Sequence, residues 1–232
     1  MMKRLPEPEL MQGLLQVKAY AEADFSKSDA SLISCIEEYL LKKGLKVTAK
    51  SLILDIGCGP GNITERLSYK WPTAKIFGID GSQAMLSIAR SRAEDARKKG
   101  DLTNVNYLCW DMFSIANGKL HLEKPIDLVV SNSLLHHLYD PALFWKVLGY
   151  LTDENTVNFH RDLRRPSTFE NAIALQKTYL KDAPDVLVKD YLSSLRAAFT
   201  IEEVKEQINS QRLDHFEVYE IEDRYLDVVG TS

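Results

Sequence analysis

The chain lacks several features that direct a protein to other tasks. Its 232 residues include three cysteines, Cys35, Cys58 and Cys109, far apart and without a C-x-x-C pair. Neither a disulfide framework nor a zinc-ligand spacing can be written from them, so a reducing cytoplasm and no metal are expected. The segment Met1-Met2-Lys3-Arg4-Leu5-Pro6 has no apolar core of a signal peptide, and no later apolar run approaches the about 18 residues that span a bilayer. Basic charge is not in excess: 29 Lys and Arg stand against 33 Asp and Glu, a formal charge of -4. That balance gives no surplus for neutralising a phosphate backbone, so neither nucleic acid nor membrane is an expected partner. Internal repeats and low-complexity tracts are absent too. Apolar residues are plentiful, at 45% of the chain with 3 Trp, 10 Tyr and 8 Phe. Such a chain can bury a core and fold as one domain over 1–232, monomeric or homodimeric.

Between residues 51 and 161 short β-rich runs alternate with helical patterns, which argues for βαβ units around a parallel sheet. The runs are Leu52-Ile53-Leu54, Lys75-Ile76-Phe77-Gly78-Ile79, Val105-Asn106-Tyr107-Leu108-Cys109, Ile126-Asp127-Leu128-Val129-Val130 and Thr156-Val157-Asn158-Phe159-His160. Asn62 with Glu65 reads as a capping box, and Asp140 with Pro141 as N-cap and first helical residue. Ser82 opens a long helix that Arg97-Lys98-Lys99-Gly100 closes. Residues 8–43 read as one or two helices, with Leu32, Ile33, Ile36, Tyr39 and Leu40 at helical spacing, covering the sheet or its ligand edge. Helices near 167–182, 185–198 and 200–209 precede a hairpin of 216–221 and 225–229. The regions are therefore an N-terminal helical cap (1–48), a cofactor-binding core (49–165) and C-terminal helices with the hairpin (166–232).

The informative stretch is Leu54-Asp55-Ile56-Gly57-Cys58-Gly59-Pro60-Gly61-Asn62, where the first strand turns into the first helix of the core. Glycines at 57, 59 and 61 allow a tight turn and let backbone lie against a ligand. A dinucleotide fingerprint would place its third glycine at 62, which here is Asn62, so a pyrophosphate is not the favoured ligand. The second strand ends in Asp80, positioned to accept hydrogen bonds from both hydroxyls of a ribose. A glycine loop after strand one and an acid closing strand two together indicate adenosine binding.

These motifs resemble those of the class I S-adenosylmethionine-dependent methyltransferases, whose first motif is similar to Leu54 to Gly61; the specific resemblance covers roughly residues 50–165. It implies that Asp55 and the loop of Gly57, Cys58, Gly59, Gly61 and Asn62 support the methionine portion of S-adenosylmethionine, and that Asp80 takes the ribose. Gly81, Ser82 and Met85 are then near the adenine, with Asp111 accepting from its amino group and Met112 shielding the ring. Ser131 and Asn132, opening Ser131-Asn132-Ser133-Leu134-Leu135-His136-His137-Leu138, match the segment beside the methionine portion and the acceptor. The implied fold is a three-layer α/β/α doubly wound sheet of seven strands in the order 3-2-1-4-5-7-6, strand 7 antiparallel, with S-adenosylhomocysteine as product. Independently, ligands on open α/β sheets bind beyond the carboxyl ends of strands where strand order reverses. Asp55, Asp80, Asp111 and Asn132 fall at such ends, although a turn-forming role would also explain Asp111, Ser131 and Asn132.

Methyl transfer from a sulfonium is an in-line displacement, so positioning and a dry, shaped pocket supply most of the catalysis. A general base helps only for an acceptor whose proton has a high pKa. Candidates on the acceptor side are His136, His137 and a lid residue, Tyr20, whose neighbour in that role is Phe25. Arg161-Asp162-Leu163-Arg164-Arg165-Pro166 clusters three arginines at the end of strand five, and Arg164 and Arg165 are the candidates for holding an anionic acceptor such as an amino acid or organic acid. The bland reading is a surface ion-pair cluster with Asp162. Asn158 and His160 interrupt an otherwise apolar strand, and partners against a helix are favoured over a pocket-facing His160. The expected activity is transfer of a methyl group to a small molecule. A protein side chain as acceptor and a non-catalytic cofactor-binding scaffold are the alternatives. A nicotinamide oxidoreductase is disfavoured because Tyr-x-x-x-Lys occurs only as Tyr39 and Lys43, upstream of strand one.

Overall fold

The computed structural model describes residues 2–101, 104–122 and 125–231. Five parallel strands, β1 (Leu52–Ile56), β2 (Lys75–Asp80), β3 (Val105–Cys109), β4 (Leu128–Asn132) and β5 (Val157–Leu163), join an antiparallel hairpin, β6 (Phe216–Ile221) and β7 (Tyr225–Thr231). The order β3-β2-β1-β4-β5-β7-β6 is the expected one. Order reverses between β1 and β4, which opens a crevice at their carboxyl ends.

Alternation along the strands sends side chains to both faces. Leu52, Leu54 and Ile56 pack with Phe144, Trp145 and Leu148 of α6 (Ala142–Leu151) and Val204 of α9 (Ile201–Ser210). Ile53, Ile76 and Val130 pack on the other face with Leu32 and Ile36 of α2 (Ser26–Lys42), Leu67 of α3 (Asn62–Lys70) and Leu86 of α4 (Gln83–Lys98). A third cluster at the ligand end joins Leu163 and Tyr225 to Ala172 of α7 (Phe169–Tyr179) and Leu195 of α8 (Asp185–Ala197). Among the described residues the remaining α-helices are α1 (Leu14–Glu22) and the short α5 (Met112–Ala116).

Ser82 does cap α4, its hydroxyl accepting from Met85 N at 3.3 Å. The Asn62 capping box is corrected: Gly61 is the N-cap of α3, and Asn62 lies inside the helix with its Oδ1 accepting from Arg92 Nη1 at 2.8 Å. Asp140 lies one residue before the N-cap, which is Pro141, and accepts from Ala142 N at 3.0 Å. β4 starts two residues later than the apolar run and continues through Asn132, so Ser131 and Asn132 belong to the strand rather than to a turn. In β5 every residue is buried. His160 finds its partner in Ser131 Oγ, 3.0 Å from Nδ1, and burial holds its pKa down to about 3, so the ring is a neutral core group.

Candidate active site

The glycine loop is tied to the end of β2, because Gly57 N and Cys58 N both donate to Ile79 O, at 2.7 and 3.0 Å. Gly57 and Gly61 have φ of 71° and 90°, a left-handed backbone that only glycine adopts without strain. Between them, a Cβ built on Gly59 meets nothing within 4 Å, so the loop presents bare backbone to open space. Asp80 closes β2 against this loop. Its Oδ2 accepts from Gly59 N at 2.8 Å and its Oδ1 from Ser82 N at 2.6 Å. Burial raises the Asp80 pKa, opposed by those two donors. Asp55 is buried, takes the Thr64 hydroxyl at 2.6 Å, and is pushed up to about 7 by burial with Asp80 adding to it.

Around this loop Gly81 lies under Leu10, 3.0 Å from where a Cβ would be, and Ser82 Oγ donates to Met11 O at 2.8 Å. Met85 is buried beneath. Asp111 is exposed and caps α5 through Ser114 N at 2.7 Å, so its carboxylate is engaged as a cap. Met112 follows it, half-buried against the core.

The N-terminal segment crosses the carboxyl ends of the strands. Arg4 donates to Ala197 O at 2.6 Å and Leu138 O at 2.9 Å and stacks on Phe199, 3.9 Å from the ring centroid. Beyond it, Glu7 Oε1 meets His136 Nε2 at 3.4 Å, His137 Nδ1 at 3.3 Å and the Ser194 hydroxyl at 2.8 Å. The two histidines reach this point because Ser133, at φ 57°, turns the chain out of β4 into the single 3-10 turn Leu135–His137. His136 is buried, and its Nδ1 bonds Asp162 on β5. Burial opposes a charge on that ring, but Asp162 and Glu7 outweigh it and hold its pKa above the ordinary value. His137 goes the other way: burial and the neighbouring His136 push it down to about 4.

Tyr20 lies in the same region, its ring tilted against that of Phe25 with centroids 5.0 Å apart. Its hydroxyl pKa rises through burial and the carboxylates of Asp29, Asp80 and Asp162. The arginines do not join this group. Arg161 is buried inside β5 and forms a bidentate pair with Asp227 on β7, at 2.7 and 2.6 Å. Arg164 pairs with Glu220 at 2.6 Å, and the buried Arg165 with Glu203. Arg164 and Arg165 line a separate cavity of about 480 Å³ with Asn171, Thr200, Glu202 and Asp223. Arg164 and Arg165 thus form ion pairs, as the bland reading expects, but with Glu220 and Glu203; the partner it named, Asp162, is corrected, since it bonds His136 instead. Asp162 and Glu7 are the members of the histidine cluster that the sequence reading missed. Asp162 follows an arginine and so looked like its surface partner, while Glu7 carries no local signal.

A glycine loop facing open space, an acid closing β2 and this strand order coincide with the matched family, described as a methyltransferase domain, over residues 53–153. Among solved structures, the plantazolicin methyltransferase BamL in complex with S-adenosylhomocysteine superposes with a TM-score of 0.66 at 17% identity, covering 94% of this chain and 91% of that one. An S-adenosylmethionine-dependent methyltransferase from Aquifex aeolicus gives a TM-score of 0.62 at 17% identity, covering 95% and 98%. Residues 53–153 thus match a methyltransferase domain, and the fold is that of these S-adenosylmethionine-dependent methyltransferases. Its curated relatives include a trans-aconitate 2-methyltransferase of Yersinia pseudotuberculosis, 33% identical over 53% of this chain and 43% of that protein. A malonyl-[acyl-carrier protein] O-methyltransferase of Bacillus anthracis is 34% identical over 56% and 50%. The chain thus spans about half the length of these relatives. The family match holds the glycine loop, Asp80, Asp111 and both histidines, but neither Glu7 nor Asp162.

Proposed function

We propose that this protein is a methyltransferase that moves the methyl group of S-adenosylmethionine to a carboxylate oxygen of a small organic acid. The observation that carries the cofactor assignment is the cradle in which Asp80 holds Gly59 N and Ser82 N beside an unobstructed glycine loop. That carboxylate has further acceptor capacity for two vicinal hydroxyls, and Gly59 leaves room for a ligand against the backbone. Asp55, Gly57, Cys58, Gly61, Asn62 and Asn132 would hold the methionine portion; Gly81, Ser82, Met85, Asp111 and Met112 would surround the adenine. When bound, the cofactor supplies an electrophilic methyl on a sulfonium.

The acceptor class is supported by the relatives, named for trans-aconitate and for a malonyl group, both of which carry carboxylates. A carboxylate is already ionised at neutral pH and needs no base to make it a nucleophile, so the chain's task is orientation and exclusion of water. His136 and His137, at the end of β4, would orient the acceptor, with Tyr20 and the N-terminal segment closing over it. Calorimetry with S-adenosylhomocysteine should show saturable heat that Asp80→Ala reduces at least tenfold. Turnover of trans-aconitate and other di- and tricarboxylates, followed by S-adenosylhomocysteine release, tests the acceptor. Saturable binding without turnover of any carboxylate would favour the scaffold, and no binding at all overturns the cofactor assignment.

A further inference from the structure

The structure assigns Glu7, His136 and His137 as a three-ligand site for a zinc-type divalent cation that fastens the N-terminal segment to the ligand edge of the sheet. The donor atoms are Glu7 Oε1, His136 Nε2 and His137 Nδ1, all within 4.8 Å of one another. Glu7 Oε1 is 3.4 Å from the first nitrogen and 3.3 Å from the second. A tetrahedral ion with bonds of about 2.0–2.1 Å sets its ligands about 3.3 Å apart. Both distances from Glu7 therefore already match the edge of a zinc tetrahedron.

Two further features point to a ligand. His137 Nδ1 is buried and makes no hydrogen bond. His136 has the support that metal-bound imidazoles generally have: Nδ1 bonds the buried Asp162, which also accepts from His136 N at 3.2 Å, so that Nε2 is fixed toward Glu7. Ser194 Oγ, donating to Glu7 Oε1 at 2.8 Å, orients the third ligand. Binding needs both ligating ring nitrogens free of protons, so any proton they carry is released to solvent. Three protein ligands leave a fourth position open, which suits water or an oxygen of an anionic ligand.

The site does not depend on the acceptor reading and is tested without cofactor. The tag-free full chain, stripped with a chelator, is titrated with Zn²⁺ against a chromophoric competitor and with Co²⁺ for its visible spectrum. One ion per chain is expected, with the intense visible bands of four-coordinate cobalt. Glu7→Gln and His137→Ala should each weaken binding at least tenfold, and Asp162→Asn by about 10–100-fold. Glu9→Gln is the control, since Glu9 holds the same segment to Tyr139 N at 2.8 Å without touching the donors. It should bind like wild type. Equal losses in Glu7→Gln and Glu9→Gln, substoichiometric uptake or a six-coordinate cobalt spectrum would overturn the assignment.

Discussion

Arg161 and Asp227 show what a single buried contact decides in this protein. Both side chains are almost wholly buried, and two parallel bonds join them across β5 and β7. Removing one partner leaves an uncompensated charge in the core, which costs about 3–5 kcal/mol. For a chain of this size each kcal/mol lowers Tm by about 2–4 °C. Asp227→Ala should therefore melt roughly 6–20 °C below wild type, and adding Arg161→Met should recover most of the loss. No recovery in the double variant would show that Asp227 acts through something other than this pair. Gly61 is a backbone case: at φ 90° an alanine carries the left-handed cost of about 1–2 kcal/mol, and its Cβ also runs into the Tyr107 hydroxyl. Gly61→Ala should lower both Tm and S-adenosylhomocysteine affinity, whereas Gly100→Ala, at φ 83° with nothing near its Cβ, should lower Tm alone. Equal affinity in the two variants would separate Gly61 from the cofactor.

Among elements, the N-terminal segment differs most from its neighbours in what holds it. The sheet is secured by ladders and two apolar faces, but this segment rests on a few long-range bonds: Met2 N to Ser167 O, Leu5 N to Arg196 O, Arg4 to three carbonyls, and Ser82 to Met11 O. Arg4→Ala removes three charge-assisted bonds and the stack on Phe199. Hydrogen exchange should then rise over residues 2–24 while β1, β4 and β5 keep their protection; a rise spread over the whole chain would contradict a separately held element. The same contrast explains what could be read in advance. Strands, α4 with its Ser82 cap, the hairpin and the acids at strand ends follow from local pattern, because periodicity and turn residues act over a few positions. Glu7 meeting His136, and Asp162 choosing His136 over the adjacent arginines, depend on chain crossings that no local pattern encodes. Ser133 in a left-handed conformation was equally illegible, since nothing in Asn132-Ser133-Leu134 calls for it.

At the scale of the whole molecule, the cofactor crevice makes stability depend on pH in a direction that the buried carboxyls set. Asp55 is pushed up to about 7 and Asp29 to about 6, in each case by burial, against Thr64 for the first and Arg66 for the second. A folded-state pKa above the unfolded one, about 3.9 for Asp, means that the native state binds more protons between those values. The contribution is complete below the unfolded pKa and is lost as pH rises through about 7. His160 opposes it: held neutral down to about 3, it favours the native state increasingly as pH climbs toward the ordinary histidine value of about 6.5. The raw melting profile of the wild type between pH 4 and 7 is thus a partial cancellation, and the informative quantity is a difference. Asp55→Asn keeps the Thr64 hydroxyl bonded through its carboxamide oxygen and removes only the ionisation. Relative to wild type, Asp55→Asn should be nearly neutral at pH 4 and progressively more stabilising toward pH 8, since the wild type alone bears a buried carboxylate there. A Tm difference that stays flat from pH 4 to 8 would mean that Asp55 ionises as freely in the folded protein as in the unfolded chain. Saturating S-adenosylhomocysteine at about 100 times its Kd adds about 2.7 kcal/mol to the native state. The loss of that increment in Asp80→Ala, measured at the same pH values, separates the cofactor's contribution from the carboxyl's.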